Sequence, residues 1–279
     1  MTEKVLGGGT ASRPGASARL GLAAILATAF VLGSASAALA VEAQPEAGAA
    51  PQAAPPRPGP IYIPPPHQNI SGVWWTQSYM RKLELAEGGE LPLNEAGRAK
   101  YAEIMAGLAN GAITDEARRV CVPDGLPRIL SNPYPFQIIQ TPGQVTIIYE
   151  LNHVIRPMRL DVPLPPDDEL EIFPYYMGHS AARWENDTLV IETAGFNEKT
   201  WLDATGAPHS WQMRTVERIR KLDDNTLENV ITIADPTYYT QPFSARFVYD
   251  LHRDVRLEDY NCGDEHRDIS QIPGVAPRN

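Results

Sequence analysis

The stretch Met177–Ser210 reads M-G-H-S-A-A-R-W-E-N-D-T-L-V-I-E-T-A-G-F-N-E-K-T-W-L-D-A-T-G-A-P-H-S. Its first half predicts a β-hairpin, because a short strand ends at Trp184, a polar turn spans residues 185–188 and an apolar run follows at residues 189–191. A polar loop comes next. The β frame therefore presents two His-Ser dipeptides, at residues 179–180 and 209–210, beside a loop, where functional residues usually lie.

Similar strand patterns separated by polar turns occupy most of the chain. The predicted strands are 70–76, 136–140, 145–151, 153–161 after a bend at Asn152, 213–222, 227–234, 243–252 and 253–260. One helix is predicted over Leu93–Asn110, with Asn94 as its N-cap. Hairpin-connected strands with a single helix predict an all-β fold, an antiparallel calycin-like β-barrel of about 8–10 strands with one helix near its N-terminal side.

The sequence divides into four predicted segments. Residues 1–40 have the basic, apolar and small-residue regions of a secretory signal peptide ending in Ala38-Leu39-Ala40, although an N-terminal membrane anchor is the alternative. Residues 41–68 are rich in proline and alanine, with nine prolines in 41–66, and predict a disordered linker. The β-barrel domain is assigned to residues 69–270 and a flexible tail to 271–279. The predicted location is periplasmic or secreted.

The charge of the chain limits its possible partners, and its cysteines indicate the compartment. Cleavage after residue 40 leaves 21 basic and 33 acidic side chains, a formal charge of −12, which argues against nucleic acid or an anionic membrane as the main partner. No second apolar run is long enough to span a bilayer. Two cysteines, Cys121 and Cys262, suggest a disulfide in an oxidising compartment, closing a loop of about 140 residues, with two buried thiols as the alternative.

Two resemblances add to this interpretation. Gly72-Val73-Trp74 resembles the G-x-W opening of lipocalin-like (calycin) barrels, in which one barrel end admits a ligand. Residues 120–268 resemble a family of mostly uncharacterised secreted bacterial proteins. The motifs that carry this second resemblance are C-x-P-x-G-x-P-R at 121–128, G-H-S at 178–180, R-W-E-x-D-T-L-V at 183–190, G-F-N at 195–197, K-T-W-L-D at 199–203, P-H-S at 208–210, E-R at 217–218 and Y-N-C at 260–262. Asn186 stands where that family has Gly in the turn.

Histidines are the main candidates for chemistry. The five in the folded region lack the close spacing of a zinc motif, so no metal site and no cofactor are predicted. His179 and His209 are candidate proton shuttles. Glu217 or Asp203 could orient one of them, and Tyr149 or Tyr176 could donate to a developing oxyanion. Ser180 and Ser210 follow histidines, but adjacent strand residues point to opposite faces and no G-x-S-x-G motif is present, which disfavours a serine hydrolase.

A lumen network could bind the ligand. Glu150, Arg156, Glu217 and Arg218 need charged partners if they are buried, as a structural plug or as a substrate clamp. The predicted ligand-binding residues are His153, Arg156, Tyr149, Asp203, Trp201 and Arg218.

Three functions remain open at this point. The preferred one is an exported barrel that accommodates a small, largely apolar molecule, with or without His-based acid–base chemistry of the lyase, isomerase or hydrolase type. The alternatives are a non-catalytic periplasmic binding protein and an envelope structural protein. The sequence does not decide whether the protein is an enzyme, and protein partners are unknown.

Overall fold

Alternation of apolar and polar residues produces nine β-strands. In a computed structural model that describes residues 62–263, the strands are β1 Gly72–Thr76, β2 Phe136–Thr141, β3 Gln144–Tyr149, β4 Ile155–Arg159, β5 His179–Glu185, β6 Thr188–Ala194, β7 Arg214–Lys221, β8 Thr226–Ala234 and β9 Phe243–His252. Strand β7 is typical, since its residues are alternately exposed and buried along its length. The fold is all-β, as predicted from the sequence.

All neighbouring strands in the sheet are antiparallel, in the order β4-β3-β2-β1-β9-β8-β7-β6-β5. Because the number of strands is odd, the two outermost strands run parallel where they approach each other. They are joined by a parallel bridge between Leu160 and Ala182, and the Asp161 N–H donates to the Ala182 carbonyl over 2.8 Å. The sheet is thus a nearly closed barrel, and we call the β4–β5 junction the seam.

The parallel seam requires a long connection between β4 and β5. Parallel strands cannot be joined by a tight turn and need a connection of about a dozen residues or more. Residues 160–178 make this connection, which we call the crossover segment. It contains the short helix Asp167–Ile172, whereas the hairpin between β5 and β6 needs only two residues, with Asn186 at a φ of 57°. The crossover segment is therefore long enough to cover the space beside the seam.

Inward-facing side chains fill the barrel. One row across the sheet consists of Ala182, Ile191, Glu217, Ile231 and Ala245. All members of this row are buried, and so are the large side chains of Trp74, Phe247 and Tyr249 further along the barrel. At about 25 cal/mol per Å² of apolar surface removed from water, this core is the main stabilising contribution.

Among residues 62–263 the α-helices that accompany the strands are α1 Glu95–Asn110, α2 Glu116–Arg119 and α3 Asp167–Ile172. The Asn94 side chain caps α1 by accepting a hydrogen bond from the Gly97 N–H over 2.8 Å, and Gly111 ends it with a φ of 75°. The long helix was predicted correctly. The two short ones were not predicted, because four to six residues carry little helical periodicity.

Cys121 and Cys262 form a disulfide, as predicted, with a Cα–Cα distance of 5.5 Å. It holds the segment that follows β9 against the bend between β3 and β4. There the Asn152 side chain accepts from the Cys262 N–H over 3.0 Å, and the Glu150 carboxylate accepts from the Glu258 N–H over 2.7 Å. The prediction that residues 253–260 form a final strand was wrong, since β9 ends at His252.

Some predictions fall outside residues 62–263. The signal peptide, the linker up to residue 61, His266 and the tail 271–279 lie outside the described residues. The end of the linker is described: Pro66–Gln68 form a 3₁₀ turn, and the Gln68 carbonyl accepts a hydrogen bond from Gln140 over 2.9 Å. These contacts join the last linker residues to β2.

Candidate functional site

A concave cleft of about 640 Å³ opens at the seam of the barrel. Its lining consists of Pro123, residues 152–157, Arg159, Val162, Pro163, Pro165 and residues 175–180. We call this space the seam cleft. Strand β4 forms one wall, the crossover segment and the start of β5 form the other, and Arg156 and Ser180 connect the cleft to the barrel interior.

A polar group lies inside the barrel beneath the seam cleft. We call it the Arg156 cluster, and it consists of Arg156, Ser180, Thr193, Thr215, Glu217 and Asn229. Arg156 donates from Nε to the Ser180 hydroxyl over 3.0 Å and from Nη2 to the Thr193 hydroxyl over 2.8 Å. Its Nη2 is also 2.6 Å from Oε2 of Glu217, and Asn229 donates to Oε1 of Glu217 over 2.9 Å.

This cluster is deeply buried and is not fully hydrogen-bonded. Arg156 is 3% exposed and Glu217 is 0% exposed. Nη1 of Arg156, Oγ1 of Thr215, Oε2 of Glu217 and Oδ1 of Asn229 are buried without a hydrogen-bond partner. Nη2 of Arg156 and Oε2 of Glu217 form an ion pair at 2.6 Å, and a carboxylate oxygen in such a pair can still accept a further hydrogen bond. Such groups are uncommon in native interiors and call for a partner.

Electrostatics and burial decide the protonation states of Arg156 and Tyr149. Burial alone would lower the pKa of Arg156, but Glu217 and Tyr149 raise it above its ordinary value, so the guanidinium stays charged. Burial raises the pKa of Tyr149 well above its ordinary value, so its hydroxyl stays neutral, and towards the guanidinium of Arg156 it can act only as an acceptor. Of the predicted network, Arg156 and Glu217 therefore do meet inside the barrel, with Tyr149 beside them.

Glu150 and Arg218, the other two members of the predicted network, do not meet Arg156 and Glu217. Arg218 points to the outer face of β7, because its neighbour Glu217 points inward, and it donates to Glu185 over 3.0 Å. Glu150 lies at the end of β3 and binds the Glu258 backbone. Neither side chain joins the Arg156 cluster.

His179 lines the seam cleft, whereas Ser180 turns inward to Arg156. The opposite orientation of these neighbours agrees with the argument against a His-Ser dyad. Nε2 of His179 is 2.7 Å from the Phe173 carbonyl, and its ring packs against Tyr175 with centroids 4.6 Å apart. A carbonyl only accepts, so Nε2 carries the proton and Nδ1 holds the lone pair when the imidazole is neutral.

His153 lies at the other rim of the seam cleft. Asn152 and His153 both have positive φ, 56° and 51°, a conformation that costs free energy for residues other than glycine. The segment held by the disulfide supports it, since Asn152 accepts from the Cys262 N–H and His153 pairs with Asp259 over 2.8 Å. The disulfide thus stabilises one rim of the cleft.

A second cleft of about 650 Å³ lies on the other side of the crossover segment. It is lined by Asp167, Leu170, Glu171, Pro174, residues 194–198, residues 211–214, Ala234 and Pro236. Trp211 is half-exposed at this cleft, and Asp167 pairs with Arg214 over 2.5 Å. No residue predicted to act on a ligand lines it.

His209 is buried away from both clefts and lines neither of them. Nδ1 is 3.3 Å from the Ser210 carbonyl and Nε2 is 3.1 Å from the Thr200 hydroxyl. Nδ1 therefore donates and Nε2 accepts. Burial lowers the pKa of His209, despite opposing effects of the Ser210 backbone and Asp235, so the imidazole is neutral in the folded protein.

His209 should make stability depend on pH. Its pKa is lower in the folded than in the unfolded state, so the unfolded chain binds a proton that the folded chain does not, and stability falls as pH drops below about 6.5. In His209→Gln we expect a shallower fall between about pH 7 and pH 5, measured by urea unfolding. The control is Ile139→Gln, a substitution at an exposed position that adds or removes no titratable group, and it should retain the wild-type slope. Parallel curves for His209→Gln and wild type would contradict this assignment.

Asp203 and Trp201 belong to a different loop. One carboxylate oxygen of Asp203 accepts from the Leu83 N–H over 2.9 Å, and the other accepts from the Thr205 backbone and hydroxyl over 2.9 and 2.8 Å. Trp201 is half-buried beside this loop. The predicted ligand-binding set is therefore divided: His153 and Arg156 line the seam cleft, whereas Asp203, Trp201 and Arg218 line neither cleft.

Sequence reasoning missed several residues at this site. Thr193, Thr215 and Asn229 occupy inward positions of their strands, and Ile155 and Tyr175 line the cleft. A signal for the first three existed, because a polar residue at an inward position interrupts the apolar alternation. The cleft-lining residues carried no such signal.

Within residues 62–263 no group of three or more His, Cys, Asp or Glu side chains is arranged to hold a metal ion. A separate search of the same residues for helices finds none with the length and apolar character needed to cross a membrane. A scan against protein-family models and a search of curated proteins both give no match to this chain.

Proposed function

We propose that this protein binds a small, largely apolar molecule in the seam cleft, with the polar end of that molecule directed towards Arg156 and Ser180. The observation that carries the proposal is a concave space of about 640 Å³ that joins an apolar rim to a buried guanidinium group. Ligand sites are commonly concave, mostly apolar and equipped with a few fixed polar groups.

The apolar rim supports this choice of ligand. Ile155 is 61% exposed, Tyr175 is 54% exposed and Val162 is 40% exposed, and all three line the seam cleft. Large apolar side chains that are exposed together in a concavity gain free energy when a ligand covers them. The interior of the barrel is filled by side chains, so the ligand is proposed at the seam rather than along the barrel axis.

The geometry supports ligand binding better than acid–base catalysis by the predicted group of His179, His209 and Glu217. His179 lines the seam cleft, His209 lines neither cleft, and Glu217 is paired with Arg156. A general acid and base must reach the same substrate, within hydrogen-bond distance or through one water. One observation favours a second candidate: Nδ1 of His179 is a basic atom in the same cleft, so proton transfer to a bound ligand is the catalytic version of this proposal.

Export is part of the proposal. The N-terminal sequence resembles a signal peptide, and the Cys121–Cys262 disulfide is typical of proteins in oxidising compartments. From its G-H-S, R-W-E-x-D-T-L-V and P-H-S motifs, we also propose that the chain belongs to the secreted bacterial family described above. If the protein were instead an envelope structural protein, the exposed apolar rim would have no function.

Placing a charge on the apolar rim should weaken binding. We expect Ile155→Asp to reduce the affinity for the neutral fluorophore N-phenyl-1-naphthylamine by roughly tenfold, because a carboxylate in an apolar contact must be desolvated. The control is Ile139→Asp, an exposed position on β2 that does not line the seam cleft. Fluorescence titration gives both affinities. Equal affinities for the two variants, or no binding to wild type, would count against the proposal.

A further inference from the structure

Four buried polar atoms in the Arg156 cluster have unused hydrogen-bonding capacity, and their types indicate which ligand group would suit the cluster. They are Nη1 of Arg156, Oγ1 of Thr215, Oε2 of Glu217 and Oδ1 of Asn229. Each parent side chain is at most 3% exposed. A buried donor or acceptor that makes no hydrogen bond destabilises the protein, so a ligand group that satisfies several of them at once binds favourably.

We infer that the seam cleft selects ligands whose polar end is a neutral group that both donates and accepts hydrogen bonds, such as a primary carboxamide or a hydroxyl group, over carboxylates and amines. This inference rests on the proposed function and names its ligand class. Two independent properties of the cluster lead to it: its net charge and the types of its unpartnered atoms.

The charge argument concerns Arg156 and Glu217. Their 2.6 Å contact already balances one positive with one negative charge inside the barrel. A ligand carboxylate would add a second buried anion beside Glu217, and a ligand ammonium would add a second buried cation beside Arg156. Either leaves one buried charge uncompensated, which is strongly unfavourable, whereas a neutral group leaves the balance intact.

The hydrogen-bond argument concerns the same four atoms. Nη1 of Arg156 can only donate. Oε2 of Glu217 can only accept, and Oδ1 of Asn229 also accepts, because the amide orientation is set by the bond from Nδ2 to Glu217. A carboxylate has no proton to give to these two oxygens, and an ammonium has no lone pair for Arg156. A carboxamide or a hydroxyl group supplies both.

The seam provides access to this cluster. Arg156 and Ser180 belong both to the cluster and to the lining of the cleft. β4 and β5 meet at a single bridge in the described part of the barrel, between Leu160 and Ala182, rather than along a continuous ladder. Arg156 therefore presents its guanidinium group to a molecule bound in the cleft, with the Ser180 hydroxyl beside it.

The first test uses the wild-type protein and three ligands with the same apolar chain: octanamide, octanoate and octylamine. Isothermal titration calorimetry at neutral pH, where octanoate is ionised and octylamine is protonated, should give an affinity for octanamide at least about tenfold above either charged ligand. Equal or tighter binding of octanoate or octylamine overturns the inference but leaves the proposed function standing. Failure of all three to bind removes the proposed function, and the inference with it.

The second test alters the charge of the cluster. In Glu217→Gln the guanidinium of Arg156 has no counter-ion, so the preference should shift from octanamide towards octanoate. In Asn229→Asp the cluster gains a negative charge, so the preference should shift towards octylamine, and this variant serves if the first does not fold. Glu192→Gln is the matched control, since Glu192 pairs with Arg183 on the outer face over 2.5 Å and should keep the wild-type order. An unchanged order in a folded cluster variant overturns the inference.

Discussion

Replacement of Glu217 by leucine is expected to lower the free energy of unfolding by roughly 3–5 kcal/mol, because it leaves the charge of Arg156 buried without a counter-ion. Glu217 is 0% exposed and lies 2.6 Å from the guanidinium group. The guanidinium group of Arg156 is buried, and its other hydrogen-bonding partners, Ser180 and Thr193, are neutral. Urea unfolding followed by circular dichroism measures the change.

The double variant Arg156→Met/Glu217→Leu separates a lost charge balance from lost packing. Replacing both members of a buried ion pair by apolar residues is often neutral or stabilising, so the double variant should recover most of the loss. Glu192→Gln on the outer face should change stability little, because that ion pair is solvated. A double variant that is less stable than Glu217→Leu would mean that the pair itself stabilises the barrel.

Removal of the disulfide in Cys121→Ser/Cys262→Ser is expected to reduce the free energy of unfolding by up to about 4–5 kcal/mol. The cysteines are 141 residues apart, so the cross-link removes much conformational freedom from the unfolded chain. The loss is measured as a lower midpoint of urea unfolding. Wild-type protein treated with dithiothreitol should unfold at the same midpoint as the double variant, and a large difference between these two samples would contradict the cross-link explanation.

The same variant should also disturb the seam cleft. Asn152 and His153 hold positive φ angles at its rim, supported by the segment that the disulfide anchors. Without the cross-link that segment can leave the bend, and affinity for N-phenyl-1-naphthylamine should fall by roughly tenfold. Unchanged affinity in the folded double variant would show that the rim keeps its shape without the disulfide.

Local sequence signals were enough to predict the elements of this fold. Alternating residues predicted most of the strands, and Asn94 marked the start of the long helix. Asn186 takes the positive φ expected of a turn residue. The segment after β9 was assigned as a strand in error, because its alternation is not accompanied by a pairing partner in the sheet. Pairing is a long-range property that local periodicity does not contain.

The candidate site was predictable only in part. Arg156 and Glu217 were expected to meet because buried charges need partners, and they do. The convergence of His179 and His209 was inferred from their similar His-Ser context. His179, however, is the first residue of β5 and lines the seam cleft. His209 lies in a loop and packs against Phe196, with ring centroids 6.2 Å apart. Which strand ends share a cleft depends on where the barrel closes, and that position is set by the whole sheet.

The parallel seam also has a bearing on solubility. An incompletely joined barrel presents the edges of two strands, and unpaired edges are templates for association between molecules. β4 carries Pro157, which has no N–H to offer a foreign strand, and exposed Arg159 adds a charge at its end. The crossover segment covers the adjoining space with Pro163 and Pro165. The residues that shape the ligand site thus also protect the barrel against self-assembly, so a substitution that loosens the crossover segment would favour aggregation.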